Sequence, residues 1–208
     1  MTTAPGVRGG GDALARPRLH ETLAAGLGKQ MTLLIAPAGY GKTVLLESWV
    51  ATLDLPVAWV ALHEHHNDPG VLVRSVVTAV RDALDEPFEG FDDRLGFVAP
   101  SSAPRVIEEW VEGLAAVRDF VLVIDDFHVL LDEAATQTAQ RLVESSPPNV
   151  QLCIASRHDP PLAVARLRLD GRLAEVRQAN LAFTFDELRT LLALNSISLN
   201  DEDRKSVV

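Results

Sequence analysis

The chain has 208 residues, 47% hydrophobic and 23% charged, which suits one α/β domain with a substantial core plus a partial appendage. A formal net charge of −10 argues against nucleic-acid binding by these residues, because phosphate contacts need clustered Lys and Arg. The single cysteine, Cys153, excludes an internal disulfide, and no apolar run approaches the roughly 20 residues that span a bilayer, so a cytoplasmic chain is expected.

Residues 1–11, rich in Gly, Thr and Ala, read as a disordered tail. Leu19, Leu23 and Leu27 share one face of a helix expected over 18–27. A strand over 31–36 then leads into Ala36-Pro37-Ala38-Gly39-Tyr40-Gly41-Lys42-Thr43-Val44, and an apolar helix runs on to about Leu53. This strand, small-residue turn and Lys-Thr helix start have the form of a P-loop. Backbone N–H groups of the turn and the helix N-terminus cradle phosphate, Lys42 reaches the β/γ-phosphates, and Thr43 holds Mg²⁺. Glycines belong where the backbone must approach the anion with positive φ. The first glycine of G-x-x-x-x-G-K-[ST] is Ala36 here, and an ordinary Gly-rich strand-to-helix turn is the alternative.

Strand two is expected over 57–62, and a helix over 69–84, where Val73, Val76, Val77, Val80 and Leu84 recur at helical spacing. Residues 85–104 lack periodicity and read as a loop before a helix over 104–117. Phe120–Asp126 is a continuous apolar strand tipped by two carboxylates, as a central parallel strand covered on both faces would be. Asp125 is then the Mg²⁺ ligand beside Thr43, and Asp126 the group that orients or deprotonates the attacking water. A strand end followed by a helix cap is the plainer reading of the pair.

A helix follows over 132–144, then a strand over 150–155 that buries Cys153, a short helix over 162–169, and a fifth strand over 173–176. Thr184 and Glu187 form a capping box for a last, leucine-bearing helix. Alternating strands and helices imply a parallel sheet with right-handed crossovers and a ligand at the carboxyl ends of its strands. The 83 positions from Lys42 to Asp125 are too many for one crossover. A complete strand–helix unit must intervene, and strand two with its helices supplies it. This makes the chain resemble the P-loop branch with a further strand between the lysine-loop strand and the acidic strand. The expected fold is a three-layer α/β/α P-loop NTPase sandwich with a mainly five-stranded parallel sheet of ASCE-type order. In it the 150–155 strand lies between the lysine-loop strand and the acidic strand. That strand's tip carries Arg157, a candidate sensor of charge on the transferring phosphoryl group; a surface arginine paired with Asp159 is the alternative.

His63, His65 and His66, with Glu64 and Asp68, invite a metal reading, although a polar loop after strand two is favoured. His128 follows the acidic pair and is expected to pack or cap beneath the strand, with contact to the site as the alternative, while Trp49, Trp59 and Trp110 are expected in the core.

Several phrases in order resemble one family: Arg16-Pro17-Arg18-Leu19, APAGYGKT with Trp49, Ala58-Trp59-Val60-Ala61-Leu62, VLVIDDFHVL, IASRHDPPL and LRLDGRLAEVRQANLAFT. Over residues 14–203 the chain is similar to the STAND-class P-loop NTPase domain of the large ATP-binding, MalT-like regulators of the LuxR type. In that family the loop usually reads APAGYGKT, with alanine at the first position. The resemblance implies ATP or ADP with Mg²⁺ as cofactors, slow hydrolysis that resets a switch, and self-association through the NTPase domain. It assigns catalytic roles to Lys42, Asp126 and Arg157, and metal ligation to Thr43 and Asp125. Nucleotide contacts fall to Ala38, Gly39, Tyr40, Gly41, Lys42, Thr43 and Val44, with Arg18 and Leu19 near the adenine. It further implies an NTPase domain over 12–183 and the start of a truncated helical lid domain over 184–208. Full-length members add a sensor and a helix-turn-helix, so no DNA binding is expected of these residues themselves. A nucleotide-dependent scaffold without significant turnover is the rival reading; a small-molecule kinase would need a lid with arginines, which the sequence lacks.

Overall fold

The computed structural model describes residue 14 and residues 16–84 and 98–194. The expectations for the tail over 1–11, for residues 85–97 of the central loop and for 195–208 lie outside the described residues. The elements in order are α1 (Pro17–Gly26), β1 (Met31–Ile35), α2 (Lys42–Val50), β2 (Val57–Ala61), α3 (Pro69–Leu84), α4 (Ala103–Gly113), β3 (Phe120–Asp125), α5 (Glu133–Ser145), β4 (Val150–Ser156), α6 (Ala165–Leu169), β5 (Leu173–Arg177), α7 (Gln178–Leu181) and α8 (Phe185–Leu194).

The five strands form one parallel sheet in the order β2-β3-β4-β1-β5. The insertion of β4 between β3 and β1, expected from the resemblance to that P-loop branch, is what the sheet shows. Because side chains alternate across a strand, even the wholly apolar strands feed two separate cores. Leu33, Ile35, Leu122, Ile124, Leu152 and Ile154 face α3, α4 and α5. Leu34, Val121, Val123, Cys153, Ala155 and Val176 face the other way, against Leu19 and Leu23 of α1 and Leu45, Leu46 and Trp49 of α2. The result is a three-layer α/β/α fold. Trp49 and Trp110 are buried in these layers and Trp59 is partly buried at their edge.

Local signals set the element ends. Pro17 occupies the first turn of α1, where its missing N–H costs nothing. Asp132 caps α5 by accepting from the Ala135 N–H at 3.0 Å. The capping box of α8 is present: Thr184 Oγ1 accepts from the Glu187 N–H at 3.2 Å, and Glu187 Oε2 accepts from the Thr184 N–H at 2.9 Å. α2 is shorter than its apolar pattern suggested and ends at Val50. α4 begins one residue before Pro104 and stops at Gly113, giving way to a 3₁₀ turn over Leu114–Ala116.

The register brings the strand tips level. Ile35 pairs with Ser156, Ile124 with Ile154, and Ala61 with Asp125. The turn after β1 and the carboxylates at the end of β3 therefore open on the same edge of the sheet, one strand apart.

Candidate functional site

The turn between β1 and α2 is shaped by two residues with left-handed backbone, Gly39 at φ 85° and Gly41 at φ 72°. A Cβ is disfavoured at such φ, so glycine is the residue the turn calls for. Ala36 does not share this conformation. It is buried at the strand end with its N–H bonded to the Ser156 carbonyl at 3.2 Å, so alanine is compatible with the loop.

Lys42 opens α2 and is only 7% exposed. Its Nζ donates to the Ala36 carbonyl at 2.7 Å and the Pro37 carbonyl at 3.2 Å, so the ammonium lies folded across the turn. Burial lowers its pKa below the ordinary lysine value; Asp125 and Asp126 pull the other way, and Arg157 adds to the lowering. Thr43 Oγ1 donates to Asp125 Oδ2 at 2.6 Å. Asp125 is 2% exposed, and its Oδ1 accepts from the Asp126 N–H at 2.8 Å, which fixes both carboxylate oxygens. The lysine turn and the acidic strand thus meet through a direct side-chain hydrogen bond.

Asp126 takes φ 56°, the one non-glycine residue with positive φ among those described, and its side chain is 44% exposed. That turn separates the two carboxylates: Asp125 points into the site and Asp126 stands at its rim. Asp126 Oδ1 is 3.6 Å from His128 Nδ1, and the His128 ring meets His158 edge-on at 6.2 Å between centroids. Burial holds His128 below the usual histidine range, with Arg157 the next contributor. Arg157 is exposed, and its charge is felt at both Lys42 and His128. The alternative partner for Arg157 is engaged elsewhere, since Asp159 pairs with Arg177 at 2.9 Å.

Beside the turn lies a cavity of about 520 Å³, lined by Gly39, Tyr40 and Gly41 at one end and by Arg16, His20 and Phe183 among others. Val44 lines it as well. Ala38 is exposed on the turn. Of the two residues expected near a base, neither lines this cavity. Leu19 is 1% exposed in the core under α1. Arg18 is spent on Glu187 and on the carbonyls of Asn180 and Ala182. Arg16, two residues earlier, takes the lining position, because the turn of α1 carries Arg18 outward.

Sequence reasoning missed Arg16, His20 and Phe183 as lining groups. Arg16 Nη2 donates to Glu187 Oε2 at 3.0 Å and to the Ala182 carbonyl at 2.9 Å, and its guanidinium sits 4.5 Å from the Phe183 ring centroid. The His63–His66 cluster has a structural arrangement: His66 Nδ1 accepts from the His63 N–H at 2.9 Å and Nε2 bonds Ser75 Oγ at 3.1 Å.

The AAA domain family matches residues 26–159. The chain belongs to that family. As an AAA domain it is MalT-like. It is 31% identical over 183 residues to the HTH-type transcriptional regulator MalT of Yersinia enterocolitica, covering 85% of this chain and 20% of that protein. It is 28% identical over 179 residues to MalT of Cronobacter sakazakii, with the same coverage of 85% and 20%. The chain therefore spans about a fifth of the length of the curated relatives it matches. A Walker-type ATPase of Pyrococcus abyssi shares the fold at a TM-score of 0.56 and 14% identity, over 94% of this chain and 63% of that one. Among the described residues, no helix is long and apolar enough to cross a membrane.

Proposed function

We propose that this AAA domain binds ATP or ADP with Mg²⁺ and acts as a slowly hydrolysing nucleotide switch within a cytoplasmic LuxR/MalT-type transcriptional regulator. The observation that carries this reading is the 2.6 Å hydrogen bond from Thr43 to Asp125 beside a turn held open by Gly39 and Gly41. A hydroxyl and a carboxylate oxygen in contact are a hard-oxygen pair suited to Mg²⁺, next to backbone N–H groups suited to phosphate. When bound, Mg²⁺ would offset the charge of the β- and γ-phosphates.

The chain's own residues divide the remaining work. Lys42 exchanges the carbonyls of Ala36 and Pro37 for phosphate oxygens, a move of a side chain that already lies over the loop. The N–H groups from Ala38 to Val44 surround the phosphates. Asp126, at the rim with an exposed carboxylate, orients water for attack. Arg157 supplies positive charge on the same edge of the sheet. Residues 12–183 form the NTPase unit, and residues from 184 onward begin a lid domain that α8 docks through Glu187. Self-association runs through the NTPase unit, and DNA binding belongs to other parts of a longer regulator.

Binding of a fluorescent ADP analogue, followed by phosphate release from ATP, tests the proposal. Saturable binding that Lys42→Ala weakens, with slow turnover that Asp126→Asn lowers further, is the expected result. No binding above the Lys42→Ala control removes the nucleotide reading. Binding with phosphate release equal in wild type and Asp126→Asn leaves a nucleotide-dependent scaffold.

A further inference from the structure

Asn67 ends the 3₁₀ turn over Glu64–Asn67 between β2 and α3, and its side-chain amide makes four hydrogen bonds. Nδ2 donates to the Glu64 carbonyl at 3.0 Å and to the Val129 carbonyl at 2.9 Å. Oδ1 accepts from the N–H groups of Leu131 at 2.7 Å and Asp132 at 2.8 Å. The amide cannot be turned over, because a carbonyl only accepts and a backbone N–H only donates. Both donors and both lone pairs are in use, and three of the four bonds cross to the segment after β3.

That segment begins at Asp126. Its left-handed backbone, φ 56°, leads the chain into a 3₁₀ turn over Phe127–Val129, closed by the Val129 N–H on the Asp126 carbonyl at 3.1 Å. A non-glycine residue in that region persists only where its surroundings over-determine it. On the near side the hold is the Asp126 N–H on Asp125 Oδ1 at 2.8 Å and the Leu62 N–H on the Asp125 carbonyl at 3.0 Å. On the far side it is Asn67, which grips the turn at Val129 and again just beyond its end. The half-exposed Asp126 carboxylate is aimed by the backbone that these two holds fix. Asn67 does not line the cavity beside the phosphate turn.

We propose that Asn67 is a positioning residue for ATP hydrolysis: it holds the turn that aims Asp126 at the attacking water, and so sets how long the ATP-bound state of the switch lasts. The inference rests on the nucleotide reading of the site above. Asn67 acts through Asp126, so its loss slows turnover and leaves nucleotide affinity in place.

Phosphate release from ATP in single turnover, with binding of a fluorescent ADP analogue alongside, tests the inference. Asn67→Asp keeps the shape and the two acceptor bonds but sets a carboxylate oxygen against the carbonyls of Glu64 and Val129. Release should slow about 10- to 100-fold, the scale on which a small misplacement of a reacting group acts, while analogue affinity stays within about twofold. Asn67→Ala, which drops all four bonds, should slow it at least as much. Neither substitution should lower the residual release of an Asp126→Asn protein further. Unchanged release in Asn67→Asp overturns the inference, as does an equal further loss in the Asp126→Asn background. Affinity that falls in step with release assigns Asn67 a general structural role and also overturns it. Should the alanine variant melt below the assay temperature, Asn67→Asp decides alone. Wild-type release equal to that of Asp126→Asn, with the analogue bound, overturns the inference and leaves the scaffold reading. Failure of wild type to bind the analogue instead refutes the nucleotide reading, and the inference falls with it.

Discussion

Glu187 is the most heavily bonded carboxylate among the described residues, and replacing it by Gln should destabilise the fold. Its Oε1 accepts from Arg18 Nε at 2.9 Å; its Oε2 accepts from Arg16 Nη2 and Arg18 Nη2 at 3.0 Å and from the Thr184 N–H at 2.9 Å. Burial alone would raise its pKa, but the hydrogen bonds from Arg18, Arg16 and Thr184 outweigh it and hold the carboxyl at about 2, against 4.5 when free. A shift of that size sets a ceiling of about 3 kcal/mol at neutral pH. Arg18 is 37% exposed, so water screens part of the attraction, and the expected loss on Glu187→Gln is about 1–2 kcal/mol. The folded pKa is depressed, so this stabilisation is fully present above 4.5 and fades as pH falls toward 2. Urea denaturation of both proteins at about pH 7 and about pH 3 reads it directly. The gap between them should shrink in acid, because at pH 3 the unfolded wild-type chain is protonated at this position while the folded carboxylate keeps its charge, so proton uptake favours unfolding. Equal midpoints at neutral pH, or a gap that acid leaves untouched, would refute the reasoning.

Three other outcomes are expected. Burial pushes the Cys153 thiol up to about 12, so a thiol reagent at pH 8 should leave the native protein unmodified and label one site after unfolding. Gly41→Val forces a β-branched residue to φ 72° where an added Cβ meets nothing within 4 Å, so backbone strain of about 1–3 kcal/mol is expected, seen in the urea midpoint together with weakened nucleotide binding. Gly70→Ala places a methyl group 2.3 Å from the Val98 carbonyl oxygen, and a fall in Tm of several degrees should follow; an unchanged Tm would mean that the α3 start yields without cost.

Most of the framework was legible because it depends on local chemistry and on counting. The apolar runs of β1, β3 and β4 read as central strands, and the spacing between Lys42 and Asp125 required an intervening strand–helix unit, which β2 and its helices supply. The capping box of α8 was readable from two residues three apart. What escaped the sequence is set by long-range packing. The pairing of Arg16 with Glu187 joins positions 171 apart, and no local pattern distinguishes Arg16 from Arg18 as the lining residue. The left-handed turn at Asp126, which parts two adjacent carboxylates into a buried and an exposed one, was equally hidden. Arg157 follows the tip of β4 as the sequence placed it, and the alternative pairing with Asp159 is not made, because Asp159 pairs with Arg177 at the end of β5. His20 carried no signal of its own, because its contact with Ser48 joins two helices 28 positions apart.

The proposed site would hold phosphate over the turn from Gly39 to Thr43 through Lys42, with Thr43 and Asp125 as the residues that would hold Mg²⁺. Calorimetric titration of ATP into wild type, Lys42→Ala and Thr43→Val, each with Mg²⁺ and with EDTA, tests it most directly. The account predicts tight binding by wild type, a loss of about 10- to 150-fold in Lys42→Ala as charge-assisted contacts disappear, and a Mg²⁺ enhancement that Thr43→Val abolishes. Equal affinities across the three proteins, indifferent to Mg²⁺, would contradict it.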